Sequence, residues 1–149
     1  MNNYALGSML AIVVYMLANT TLVHFQRFTF RVARSASDEL GGTNRRQVRA
    51  MQSMLTPAIM ASLSYLCYVL LAFSFVMAFR AGGWPTAAVV LACGVGSSVF
   101  MERGWPFPSR DVAVRIASEE IKKAGKLRHL EPEERELVTG LLMKHLQTQ

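Results

Sequence analysis

Lys, Arg, Asp and Glu are missing from three long stretches of this sequence: Met1 to Gln26, Ala50 to Phe79, and Ala81 to Met101. A helix that crosses a bilayer core needs roughly 20 mostly apolar residues, and each stretch is long enough. Three such stretches in one short chain are hard to accommodate as buried helices of a soluble domain. The pattern predicts an all-α membrane protein with three transmembrane helices. Span 1 runs roughly from Tyr4 to Phe25, span 2 from Pro57 to Phe79 and span 3 from Trp84 to Met101.

The basic residues then set an orientation, because Lys and Arg collect on the cytoplasmic side of a span. Arg27, Arg31, Arg34, Arg45, Arg46 and Arg49 lie between spans 1 and 2, against Asp38 and Glu39 alone. The link between spans 2 and 3 carries only Arg80, and no charged side chain precedes Arg27. The expected topology places the N-terminus outside and the C-terminus inside, with a cytoplasmic two-helix tail. Residues 1–106 then form a three-span transmembrane domain with an Arg-rich cytoplasmic loop at 27–49, and residues 107–149 a cytoplasmic amphipathic helical tail.

Arg27, Arg31 and Arg34 recur at helical spacing beside Phe28 and Val32, so span 1 is expected to continue beyond the membrane edge as an amphipathic helix. The stretch "SASDELGGTN" should end it, with Gly41-Gly42 as the turn. Arg45, Arg46 and Arg49 follow on a short helix whose apolar strip is Val48, Met51 and Leu55. At Thr56-Pro57 the chain either caps and restarts or bends within one kinked helix; both patterns fit the residues.

Two amphipathic helices are expected in the tail. Ser109 can cap the first, with Ala113, Ala117, Ile121 and Ala124 along one face and Gly125 as a stop. In the second, Glu131, Glu133, Glu134 and Glu136 gather at the N-terminal end and Lys144 and His145 at the other, which suits the helix dipole. Leu137, Val138, Leu141, Leu142 and Leu146 form its apolar stripe, a surface for the other tail helix or for a partner.

Candidate chemistry is sparse. His24, His129 and His145 are scattered, and no zinc-type spacing of His or Cys occurs. Cys67 and Cys93 both fall in apolar spans, which favours packing over a disulfide framework. No ionisable Asp, Glu, Lys or Arg lies within a span, although ion and proton pathways depend on such groups. With no nucleophile-base pair or phosphate loop either, no enzyme activity, metal or cofactor is expected. Charge changes the picture only slightly. The net +6 arises mostly from the Arg-rich loop, where a topogenic signal and attraction to anionic lipid head groups explain it. No base-reading motif accompanies it, so nucleic acid is not an expected partner.

The first stretch lacks the basic start and small-residue cleavage site of a secretory signal, and is expected to be a retained span. Asn2 follows the initiator Met, where myristoylation would need glycine. Span 3 offers a packing signal: Ala88, Ala92 and Gly96 fall at four-residue steps, with Gly94 and Ser98 beside them, and such spacing lets helices approach closely. Asn19 in span 1 is a candidate interhelical hydrogen-bonding residue.

The tripeptide Gly-Trp-Pro occurs twice, at Trp84 and Trp105, the chain's two tryptophans. They are 21 residues apart, roughly 31 Å along a helix, close to the thickness of a bilayer core. Tryptophan favours both membrane interfaces, so the repeat marks the two edges of span 3. These features point to an accessory or assembly subunit of a larger complex in a bacterial inner membrane. Other membrane subunits or further copies of the chain, together with anionic lipid, are the expected partners. A holin-like pore former and a small lipid-interacting sensor are the alternatives.

Overall fold

The computed structural model describes residues 3–41, 44–100, 108–123 and 131–148, with backbone only for 98–100. All secondary structure among them is helical: α1 (Asn3–Glu39), α2 (Arg45–Leu55), α3 (Ala58–Phe100), α4 (Arg110–Lys122) and α5 (Pro132–Thr148). Two helices, α1 and α3, are long and apolar enough to cross a membrane. The chain divides into two compact units, one formed by Met1–His24 with Ile59–Phe107, the other by Phe25–Ala58 with Pro108–Gln149.

In the first unit, α3 is not straight. Gly82 (φ −154°, ψ 19°) and Gly83 (φ 71°, ψ −156°) leave helical geometry, and the chain reverses there. A β-carbon built on Gly94 would stand 2.8 Å from Cδ1 of Leu71, although 23 residues of straight helix would separate them by roughly 35 Å. Residues 58–81 and 84–100 therefore form an antiparallel hairpin. The Thr86 hydroxyl ties it, donating to the carbonyl of Ala78 at 2.7 Å or of Gly83 at 2.9 Å. Pro85 stands in the first turn of the second arm, where its missing N–H costs no helical bond.

Buried positions spaced seven residues apart run along each helix: Ser8, Tyr15 and Leu22 on α1, Met60, Cys67 and Ser74 on the first arm, Ala87 and Gly94 on the second, with Ala11, Ala78 and Ser97 buried beside them. A seven-residue repeat keeps one narrow seam facing its neighbours. Most of these side chains are small. Large apolar side chains instead face outward, among them Ile59, Tyr65, Tyr68, Val69 and Val95, exposed by 62% or more.

The second unit has an ordinary apolar core. Phe25, Phe28, Val32, Ala33 and Ala36 of α1 are buried, as are Val48, Met51 and Leu55 of α2, with Ala113, Ala117 and Ile121 of α4 and Leu142 and Leu146 of α5. The expected apolar strip of α2 is thus the buried one. On α4, Ala113, Ala117 and Ile121 face inward as expected, while Ala124 and Gly125 lie outside the described residues. Helix α4 packs on both α2 and α5. Arg110, at the start of α4, donates to the carbonyl of Gln147 near the end of α5, so those two helices run antiparallel.

One local expectation holds and one needs correction. Helix α1 ends at Glu39, inside the stretch expected to end it, with Ala36 and Ser37 fully buried so that packing outweighs the weak helical preference of serine. The turn follows at Gly41, whose φ of 78° suits a residue without a β-carbon. Ser109 occupies the cap position of α4, yet its side chain makes no capping bond. At Thr56-Pro57 the alternatives resolve into a break: Thr56 adopts extended geometry (φ −102°, ψ 117°), as the residue before a proline prefers.

Candidate functional site

Two surfaces, one in each unit, carry the sequence-predicted site residues. On the second arm of α3, Gly94 faces the unit's interior, against Leu71, Tyr15 and Ile12. Ala88 and Ala92 point the other way and are exposed, and Gly96 is half-buried. The small residues therefore divide into an inner seam and an outer row, with exposed Leu91 and Val95 beside the latter. The side chain of Ser98 lies outside the described residues. Asn19 is half-buried and not without an interaction partner. Trp84 is exposed and meets Phe79 and Phe75 edge-on, with ring centroids 5.3 and 6.2 Å away; Trp105 falls among the undescribed residues 101–107.

A polar clamp that the sequence pattern did not reveal crosses the inner seam. The Ser8 hydroxyl donates to the Ser74 carbonyl and the Ser74 hydroxyl to the Ser8 carbonyl, each at 3.0 Å. The two hydroxyls lie 3.2 Å apart, and both residues are buried. No local sequence signal pairs them, since the seven-residue repeats that hold them run Ser8, Tyr15, Leu22 and Met60, Cys67, Ser74. Ser8→Ala and Ser74→Ala each remove one of two independent hydroxyl-to-carbonyl bonds. Each is expected to destabilise the unit by about 0.6 kcal/mol, typical of interhelical bonds in apolar surroundings. The double variant should lose nearly the sum in a thermal unfolding series; a double variant no worse than either single one would refute two independent bonds.

In the second unit, α2 returns alongside α1. The Gln52 amide donates to the Gln26 carbonyl at 3.1 Å, and this register brings Val48 toward Phe30 and Arg45 toward Arg34. Between the helices lies a cleft of about 500 Å³ lined by Phe30, Arg34, Arg45, Val48 and Arg49. Three of the six expected head-group arginines are thus gathered at one place. Arg27, Arg31 and Arg46 are exposed elsewhere on the same helices. Among the described residues, no side-chain partner is present for the guanidinium of Arg34, Arg45 or Arg49.

The far end of α1 is fastened to α5. Lys144 donates to the Glu39 carboxylate at 2.9 and 3.1 Å, and Nε2 of His145 lies 3.2 Å from the same group without hydrogen-bond alignment. The hydrogen bond from Lys144 holds the Glu39 carboxyl below its ordinary range; burial opposes the shift, while the charges of Lys144 and His145 reinforce it. A lowered folded value means that this tie contributes above the ordinary carboxyl pKa of about 4.3 and is lost as pH falls through the lowered one. The stability difference between the native chain and Glu39→Gln should therefore shrink in acid and persist at neutral pH. A difference independent of pH between about 6 and 3 would contradict this linkage.

The apolar stripe of α5 is divided by the same packing. Leu142 and Leu146 are buried in the chain's own core, Val138 and Leu141 are half-buried, and Leu137 stays exposed. As a partner surface the stripe is reduced to its Leu137 end, because α5 packs on α4. Among the described residues no three His, Cys, Asp or Glu side chains converge as a metal site would require. Comparison with known proteins yields no match: no family model, curated relative or solved structure is similar to this chain.

Proposed function

We propose that this chain is a non-catalytic accessory or assembly subunit of a larger protein complex in a bacterial inner membrane. In this reading it crosses the bilayer three times, through α1 and the two arms of α3, with its N-terminus outside and its Arg-rich segment and tail inside. The inverted arrangement of the first unit supports the membrane placement. In water large apolar side chains would be drawn inward, whereas only 28% and 17% of the most apolar windows of α1 and α3 are buried. Lipid removes that penalty, and small inner residues then let the helices approach closely. The charge distribution supports the orientation.

One observation carries the subunit reading: Ala88 and Ala92 form an exposed small-residue row, continued by the half-buried Gly96, on a helix whose inner seam is already occupied by Gly94. In a bilayer such a row favours another helix over lipid, because backbones can approach and gain van der Waals contact there. Purification in a mild detergent tests this. A membrane protein should co-purify in fixed stoichiometry with the native chain and be lost from Ala88→Leu/Ala92→Leu, which should remain folded because both sites are exposed. Sole self-assembly of the native chain, with dye leakage from vesicles, would instead establish the pore-forming alternative.

A further inference from the structure

We propose that the cleft between α1 and α2 binds an anionic phospholipid, with Arg34, Arg45 and Arg49 on the head-group phosphate and Phe30 against its glycerol and upper acyl region. The inference rests on the membrane placement proposed above, and its own basis is the local geometry of the second unit. Three guanidiniums line one cleft, with no carboxylate paired to any of them among the described residues. Asp38 lies one helical turn beyond Arg34 and forms no ion pair with it. Three like charges held together repel each other, and a bound anion would offset that repulsion. Guanidinium is also the side chain best matched to phosphate, since its planar fork donates two parallel hydrogen bonds.

The shape of the site separates a lipid from a free phosphate. Its volume of about 500 Å³ far exceeds the roughly 30 Å³ occupied by one water, and its lining is amphipathic. Phe30 is 43% exposed and sits one turn before Arg34 on α1, while Val48 lies between Arg45 and Arg49 on α2. An inorganic phosphate uses only the arginines; a phospholipid also covers the aromatic ring.

Depth agrees with this. The charge-free stretch of α1 ends at Gln26, so Phe30 lies roughly 6 Å and Arg34 roughly 12 Å farther along the helix axis. Each head-group layer is about 5–8 Å thick. Phe30 thus falls within that layer, and Arg34 stands about 4–7 Å beyond it, within reach of its long side chain. The hydrogen bond from Gln52 to Gln26 sets α2 at the matching height, so Arg49 and Arg45 approach the same layer from the other side.

The test uses the full chain, stripped of lipid in a neutral maltoside detergent and titrated with acyl-labelled phosphatidylglycerol or phosphatidylcholine. Phosphatidylglycerol should bind at least about tenfold more tightly. Arg34→Gln/Arg45→Gln/Arg49→Gln should abolish that preference, whereas the charge-matched Arg27→Gln/Arg31→Gln/Arg46→Gln should weaken binding less than about threefold. Equal losses in both triple variants would reduce the effect to general charge and overturn the site. Displacement of the lipid by millimolar inorganic phosphate would make it a phosphate site, and stronger displacement by hexaglutamate would make it a peptide site; either result refutes the proposal. Arg34→Lys, which keeps the charge and loses the planar fork, should retain the fold while losing most of the preference, and covers the case of an unfolded triple variant. Alkaline carbonate extraction of cell membranes keeps the two readings apart. Release of the native chain would remove the membrane placement, whereas membrane retention with unchanged lipid preference in the pocket variant would remove only the site.

Discussion

Gly94→Leu is expected to destabilise the first unit by about 3 kcal/mol, at the upper end of the cost of overpacking a closely fitted core. The alanine variant places its β-carbon 2.8 Å from Cδ1 of Leu71. That atom is the end of a flexible side chain and can move, so Gly94→Ala should cost much less. Leucine adds three more carbons in a direction already occupied by Leu71, with Tyr15 at 3.6 Å and Ile12 at 4.0 Å from the same β-carbon, and the helices have to separate. Cys67 reports the change because it is buried. With the exposed Cys93 replaced by alanine, its labelling by a maleimide in mild detergent should be slow when Gly94 is kept and fast in Gly94→Leu. Leu71→Ala should restore part of the protection in the leucine variant, and Val95→Leu on the exposed side of the same helix should have no effect. Native-like protection of Cys67 in Gly94→Leu would show that the close approach at Gly94 is not real.

Gly83→Val should open the hairpin, with an expected cost also of about 3 kcal/mol. Gly83 combines φ of 71° with ψ of −156°, a region essentially restricted to glycine and costing other residues about 1–3 kcal/mol. A β-branched side chain belongs at the upper end. Its neighbour is constrained for a different reason. A β-carbon on Gly82 would lie 2.7 Å from Cγ2 and 3.0 Å from Oγ1 of Thr86, and Thr86 cannot turn away without giving up its hydrogen bonds to Ala78 and Gly83. Gly82→Ala should therefore be damaging as well. Spin labels on Ala72→Cys and Val95→Cys, with both native cysteines replaced by alanine, distinguish the folded hairpin from a straightened helix. The hairpin holds these positions close, whereas a continuous helix would set them roughly 35 Å apart. An unchanged short distance in Gly83→Val would refute the requirement for glycine.

Several features were legible because they depend on local composition. The three charge-free stretches, read as three spans, fall on the two helices long and apolar enough to cross a membrane, and Gly82-Gly83-Trp84-Pro85 marked the reversal within α3. The strip Val48, Met51 and Leu55 was recognisable from its spacing on a short helix. Other features were not. Ser8 and Ser74 are 66 residues apart, and nothing in either neighbourhood indicates that they meet.

The arginines between the first two apolar stretches show the same division at a single surface. Six arginines between two apolar stretches determine, from sequence alone, a strongly basic segment beside a candidate membrane edge, because charge is a property of composition. Which of them cooperate depends on the turn at Gly41 and the register fixed by Gln52 against Gln26. Tertiary structure selects Arg34, Arg45 and Arg49 from the six and places them around one cleft with Phe30. It likewise turns Gly94 inward, leaves Ala88 and Ala92 outward, and commits Leu142 and Leu146 to the chain's own core while Leu137 stays exposed. The apolar and charged periodicities were settled along the chain, where each residue's neighbours are known. Contacts across helices were settled only by packing, because a helix face has no partner until another helix is brought against it.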